Sequence, residues 1–247
     1  MKDRPKGRSF FRRPMVPRPA VRHAKVRDMP GPGTLLPMFP LGAVLFPHAS
    51  MPLHVFEPRY RRLTRVCLEG DARFGIVLIE RGSEVGGGDQ RTSVGTRAVI
   101  THAAALTDGR WMLRVQGEAR IAVEEWLPDD PYPQALVSEW PTPPDEAPQD
   151  AADATAAAAL VAATEPRVRR ARAVYAEHGG GSALPPDTVF DAEEPEVAVW
   201  QLCAAAPITT YDAQRLLAAE GTITRLRLLG QLMDELELDL QRMHSPE

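Results

Sequence analysis

The chain has 247 residues, 44% of them hydrophobic, which is enough for one large globular domain or two small ones. Its net charge of −4 hides an asymmetry: residues 1–27 hold ten Lys and Arg against Asp3 alone, which leaves −13 on residues 28–247. All three lysines (Lys2, Lys6 and Lys25) lie in the basic segment, so the acidic body has no lysine for a phosphate-binding P-loop, a Ser-Lys protease dyad or a pyridoxal Schiff base.

No apolar run approaches the ~20 residues of a membrane span, and no apolar secretory core follows the N-terminus, so a cytoplasmic protein is expected. Residues 1–33 are rich in Arg and Pro with only scattered apolar side chains, and are expected to be a disordered basic tail. That tail reads as a binder of an anionic partner, as an inert extension, or as sequence upstream of a true start at Met29.

From Leu35 to Phe56 the chain is punctuated by prolines. Three short apolar runs, Leu35–Phe39, Ala43–Phe46 and Leu53–Phe56, read as edge strands, because prolines this close deny a helix its N–H donors. Pro58 then opens a helix over 58–69, with Tyr60, Leu63, Val66 and Cys67 at helical spacing and Gly70 as its stop. Phe74–Glu80 has the length and composition of a buried strand. The glycine-rich loop 82–90 has neither the lysine nor the following helix of a phosphate cradle. Val94–Ala105 and Trp111–Val115 form a hairpin about Asp108-Gly109. Arg120–Trp126 and Tyr132–Trp140 add two more strands. Six or more short strands at this spacing predict a closed or half-closed barrel.

Residues 141–150 form a stiff acidic linker. An alanine-rich helix follows over 151–163 and 165–177, which Pro166 should kink or split, and Gly179-Gly180-Gly181 ends it. A helix with acidic residues in its first turn starts at Asp191–Pro195, with Val197, Trp200 and Cys203 inward. Thr209 or Thr210 caps a short helix, and Thr222 caps the last. There Leu226, Leu229, Met233, Leu236, Leu240 and Met243 form an apolar seam. Packing on the protein's own helices is the favoured use of that seam, giving a monomer; a coiled-coil dimer is the alternative.

Leu36-Pro-Met-Phe-Pro-Leu41, Val44-Leu-Phe-Pro47 and Pro52-Leu-His-Val-Phe-Glu-Pro-Arg-Tyr60 resemble the opening of the LON domain, the N-terminal substrate-binding domain of Lon proteases. That domain also occurs in small stand-alone bacterial proteins and in cereblon. Phe74-Gly-Ile-Val77, Val94-Gly-Thr96 and Val115-Gln-Gly117, the last as a strand-ending glycine, agree in the same order, and Pro207–Leu240 is similar to the last two helices of the stand-alone proteins. The resemblance implies an α+β fold: a β-rich LON/PUA-like pseudo-barrel over 34–140, then a helical bundle over 151–247. It also implies recognition of unfolded or partly folded polypeptide, as an adaptor or chaperone-like factor in protein quality control, acting alone or with a separate ATP-dependent protease.

The candidate peptide-binding residues are Phe39, Phe46, Phe56, Arg59 and Tyr60. Each also has an ordinary structural reading: core packing for the phenylalanines, a helix-to-sheet pair for Arg59 and Tyr60. Catalysis is not expected. No serine sits in a Gly-x-Ser-x-Gly elbow, and His54 near Glu57 is a lone acid–base pair. No cofactor or metal is expected: the histidines lack ligand spacing, Cys67 and Cys203 read as small buried hydrophobes, and the zinc-binding cysteines of cereblon-type relatives have no counterpart. Nucleic-acid binding through a PUA-like fold and the basic tail is the alternative function, opposed by the −13 body; an uncharacterised hydrolase is a second.

Overall fold

The computed structural model describes residues 33–81, 90–140, 151–179, 181–191 and 194–244. The basic tail up to residue 32, loop residues 82–89 and the linker 141–150 lie outside the described residues. Six strands come first: β1 (Thr34–Leu41), β2 (Ser50–Val55), β3 (Arg73–Arg81), β4 (Gln90–Ala105), β5 (Trp111–Trp126) and β6 (Gln134–Glu139). Helix α1 (Pro58–Glu69) lies between β2 and β3. Four helices follow: α2 (Ala151–Glu177), α3 (Pro195–Ala205), α4 (Thr210–Ala218) and α5 (Thr222–His244). No described helix is long and apolar enough to cross a membrane.

The sheet runs β2-β5-β4-β3-β1-β6, and a further pairing of β5 with β6 closes the last five strands into a ring. The expected barrel is therefore present, and its geometry rests on one strand. β5 pairs along one edge with β4. Its other edge is shared: Trp111–Gln116 pair with β2, and Ile121–Trp126 with β6. Trp111–Val115 and Arg120–Trp126, expected as separate strands, are thus the two halves of β5. Gly117 does not end a strand but lies inside this one. A Cβ at Gly117 would collide with the carbonyl oxygen of Phe46, and the Gly117 main chain bonds His48 N–H and Ala49 C=O at 2.9 Å each.

That docking explains a second correction. Ala43–Phe46 forms no strand; the segment crosses over β5 as a loop, making one isolated bridge at Pro47. Its main-chain groups bond outside any ladder, with Thr96 Oγ1 donating to Leu45 O at 2.6 Å.

The apolar interior has three parts. One fills the barrel under α1: Phe39, Leu53, Val55, Tyr60, Leu63, Phe74, Leu113 and Val115. A small one lies at the β1–β6 seam around Met38, Ile121 and Val137. The third is the core of the helices, into which the barrel contributes Phe46 and Val94. At its centre α3 is buried on most sides, with Ala198, Val199, Trp200, Leu202 and Cys203 all inaccessible, while Val197 is half-buried.

Helix α2 runs unbroken through Pro166, whose ring nitrogen removes one intrahelical bond; packing of Val161, Val168 and Ala171 in the shared core holds the helix across that gap. Helix α3 begins at Pro195, leaving only Glu196 as an acidic first-turn residue. Thr209 caps α4 through Asp212 N–H at 3.1 Å, as expected. Thr222 is not a cap: it is the first residue of α5, where Gly221 C=O accepts the first intrahelical bond, from Arg225 N–H. The seam residues Leu226, Leu229 and Met233 pack in the helical core and Leu236 at its margin; the side chains of Leu240 and Met243 fall outside the described ones. Cys67 and Cys203 are free and buried.

Candidate functional site

Pairing on only one side leaves β2 with an exposed edge. Ser50–Val55 pair with β5, and no described strand pairs with the other side. Pro52 fits this arrangement, because a residue without an N–H is tolerated where the main chain points away from its neighbour. The bond from Gly117 N–H to Ala49 O sets the phase. Main-chain groups alternate along an antiparallel strand, so Ala49, Met51, Leu53 and Val55 bond toward β5, and Ser50, Pro52 and His54 turn theirs to the open edge.

Beside that edge is a cleft of about 190 Å³ lined by Phe39 and Leu41 of β1, by Pro52–Glu57, and by Tyr60. It occupies the gap between β1 and β2 at the end of the barrel that β6 does not close. Phe39 and Tyr60 build its floor. Their rings stack at 4.0 Å with an interplanar angle of 11°, and both are buried. The Arg59 guanidinium lies 4.6 Å from the Tyr60 ring centroid, and its Nε donates to Glu57 Oε2 at 3.0 Å. This pair sits at the first turn of α1, where Pro58 at the helix start fixes the chain direction.

Phe56 departs from its core reading. It is 51% exposed at the mouth of the cleft, and the His54 ring lies 5.9 Å from its own. Three of the five expected binding residues, Phe39, Phe56 and Tyr60, therefore line one cleft, and Arg59 flanks it through Tyr60 and Glu57. Phe46 does not join them: its ring is buried against Trp200, 6.0 Å between centroids, in the helical core. Sequence reasoning missed Leu41, Pro52 and His54 as lining residues. The signal for Pro52 was its position inside a strand, which marks an edge.

The carboxylate of Glu57 is taken by Arg59 rather than by His54. No three His, Cys, Asp or Glu side chains among the described residues gather as a metal site. Burial pushes the Cys67 thiol up to about 12, with the Asp71 carboxylate adding to the effect, so it is no nucleophile at neutral pH.

A β-rich pseudo-barrel with a helical bundle behind it carries the open edge strand and the cleft beside it. The family is shown by its model: residues 35–235 match the ATP-dependent protease La (LON) substrate-binding domain, and the chain belongs to that family. Among solved structures it resembles a Lon N-terminal domain protein from Xanthomonas campestris, with 25% identity and a TM-score of 0.57 over 79% of this chain and 96% of that one. The N-terminal domain of a Mycobacterium avium complex Lon protease matches in fold, with 16% identity and a TM-score of 0.55 over 82% of this chain and 99% of that one. A Lon protease of Xanthomonas oryzae pv. oryzae is 28% identical over 97% of this chain, and one of Cytophaga hutchinsonii 35% identical over 42%. The chain spans 27% and 13% of the length of these two relatives.

Proposed function

We propose that this protein is a non-catalytic polypeptide-binding domain that holds an extended, unfolded segment along the open edge of β2, with an apolar side chain in the adjoining cleft. The observation that carries this reading is the coincidence of three features at one place: main-chain groups at Ser50, Pro52 and His54 that no described strand pairs, the cleft beside them, and the exposed ring of Phe56. An extended peptide gains affinity from main-chain bonds to a sheet edge and selectivity from pockets for alternate side chains. In this reading the β-rich part, 34–140, meets the client through Phe39, Phe56, Arg59 and Tyr60, and the helices of 151–247 buttress the barrel. Delivery of the client to a separate ATP-dependent protease is the corresponding role in quality control.

The test is titration of the full chain with a permanently unfolded polypeptide, reduced and carboxymethylated lactalbumin. Phe56→Ser is expected to weaken binding roughly tenfold, the scale of an aromatic anchor, with unfolding by urea unchanged. Equal affinity of the Phe56→Ser and natural chains would remove the cleft as the binding site.

A further inference from the structure

The open edge of β2 borders an exposed face that meets the cleft along Pro52 and His54 and continues across β5 and β4, away from it. Along β2, exposed Ser50, Pro52 and His54 alternate with buried Leu53 and Val55. Along β5, exposed Met112, Arg114 and Gln116 alternate with buried Leu113 and Val115. Register aligns these residues in rows across three strands. His54 is opposite Met112, which is opposite Ala104; Pro52 is opposite Arg114, which is opposite His102. Cross-strand partners share a face, so Pro52, His54, Met112, Arg114, His102 and Ala104 form one exposed patch.

The charge of this patch runs against that of the body. Residues 28–247 carry −13, yet the two rows contain Arg114 and two histidines and no carboxylate. None of the ion pairs formed by described residues engages Arg114. Helix α1 carries Arg61, Arg62 and Arg65 against Glu69, while Arg59 is paired with Glu57.

A strand added to the open edge of β2 would present its side chains alternately to two unlike surroundings. One set falls on the cleft side, beside Leu53, Val55, Phe39 and Tyr60, where apolar groups find apolar neighbours and the Glu57 carboxylate opposes a second acid. The other falls on the exposed face beside Pro52 and His54, with Arg114 one strand further in. Resting on the binding function proposed above, we infer that the preferred client segment is an extended strand in which apolar residues alternate with acidic ones. Like charges directly opposed across a sheet are destabilising, so a basic set on the exposed face is disfavoured. Alternation matters as much as composition, because a one-residue shift sends every carboxylate into the cleft.

Three fluorescent peptides of about seven residues, the length of an ordinary strand, test this with the full chain. One alternates Glu with Leu and Phe, one replaces each Glu by Lys, and one has the composition of the first with its apolar residues in a block. The alternating acidic peptide is expected to bind roughly tenfold more tightly than either of the others, with the margin over the Lys peptide shrinking as salt is added. Arg114→Glu, at an exposed position, is expected to erase that margin while leaving carboxymethylated lactalbumin bound. Equal or tighter binding of the Lys or block peptide, with lactalbumin bound, overturns the preference and leaves the binding function standing. Failure of lactalbumin and all peptides to bind overturns both. Concentration-dependent dimerisation that masks the β2 edge from peptide would assign the edge to a second copy of this chain and also overturn the inference.

Discussion

The guanidinium carbon of Arg225 lies 3.7 Å from the centroid of the Trp200 ring, deep in the helical core, and Arg225 is fully buried. Its Nε donates to Leu216 O at 2.9 Å and its Nη2 to Ala219 O at 2.6 Å. From the barrel, Arg120 of β5 approaches the same ring at 5.6 Å and donates through Nη1 to Leu217 O and Ala219 O at 3.1 and 2.8 Å. The last carbonyls of α4 carry the negative end of the helix dipole, and two cations meet them there. Burial draws the Arg120 guanidinium down to about 10, so it keeps its proton at neutral pH. One indole and one helix end thus fasten the barrel to the bundle.

Removing Arg225 takes the side-chain donor from Leu216 O, and removing Arg120 takes it from Leu217 O, while Ala219 O keeps the other arginine. Arg225→Leu is expected to lower stability by about 3 kcal/mol, the scale of two lost bonds from a charged donor. Arg225→Lys is expected to recover only part of it, since an ammonium cannot reproduce the planar fork that stacks on Trp200. Urea unfolding at neutral pH measures both; a loss under about 0.5 kcal/mol for Arg225→Leu, the level of an ordinary surface change, would show that the contact is dispensable.

Gly117→Ala tests the crossing loop. The added methyl meets the Phe46 carbonyl, so loop and strand must separate, at a cost of about 1–3 kcal/mol. Gly179→Ala, just past α2 with a positive φ of 80° and nothing within 4 Å of the added methyl, is the control for backbone strain alone. Movement of the loop would also loosen Phe46 from Trp200, which the indole fluorescence reports.

The apolar seam of α5 divides by depth. Leu229 is fully buried and Leu236 only partly. Leu229→Ala is therefore expected to lose about 2–5 kcal/mol, and Leu236→Ala about 1 kcal/mol, with its partial exposure. Neither touches the cleft, so affinity for an unfolded client should persist wherever the variants stay folded. Loss of binding by a folded Leu229→Ala protein would move the recognition surface to the helices.

The two thiols predict alkaline sensitivity. Burial raises both Cys67 and Cys203 from 9.0 to about 12, against the opposing pull of Arg225 in the case of Cys203. Unfolded, the thiols release their protons near 9; folded, they keep them to about 12. The folded state therefore binds more protons across that window, and stability falls as pH rises through it. Cys67→Ala with Cys203→Ala should flatten the fall in the urea midpoint between about pH 9 and about pH 11. An unchanged slope would place the alkaline loss on other groups, such as the Tyr132 hydroxyl, which burial also raises.

Much of the fold was legible because it rests on local rules. Prolines at 37, 40, 47 and 52 excluded helix and marked edges; Pro58 and Gly70 bounded α1; Asp108-Gly109 turned the hairpin between β4 and β5. The seam at Leu226, Leu229 and Met233 announced a packed helix, and Phe39 and Tyr60 stood in a stretch that does build the cleft. Each is a statement about neighbours in the chain, where periodicity and backbone geometry suffice.

What the tertiary structure decided involves partners far apart. Phe46 and Phe56 are both aromatic residues at the end of an apolar run, yet one is buried under Trp200 and the other stands at the mouth of the cleft. Nothing local distinguishes them; the difference is that helices from the far end of the chain cover only one. Nothing in the local sequence marks Arg120 and Arg225 as buried, because a buried cation is tolerable only where a distant helix end supplies carbonyls. The open edge of β2 follows from β5 being long enough to hold two partners on one side, β2 and β6, which only the closure of the barrel determines.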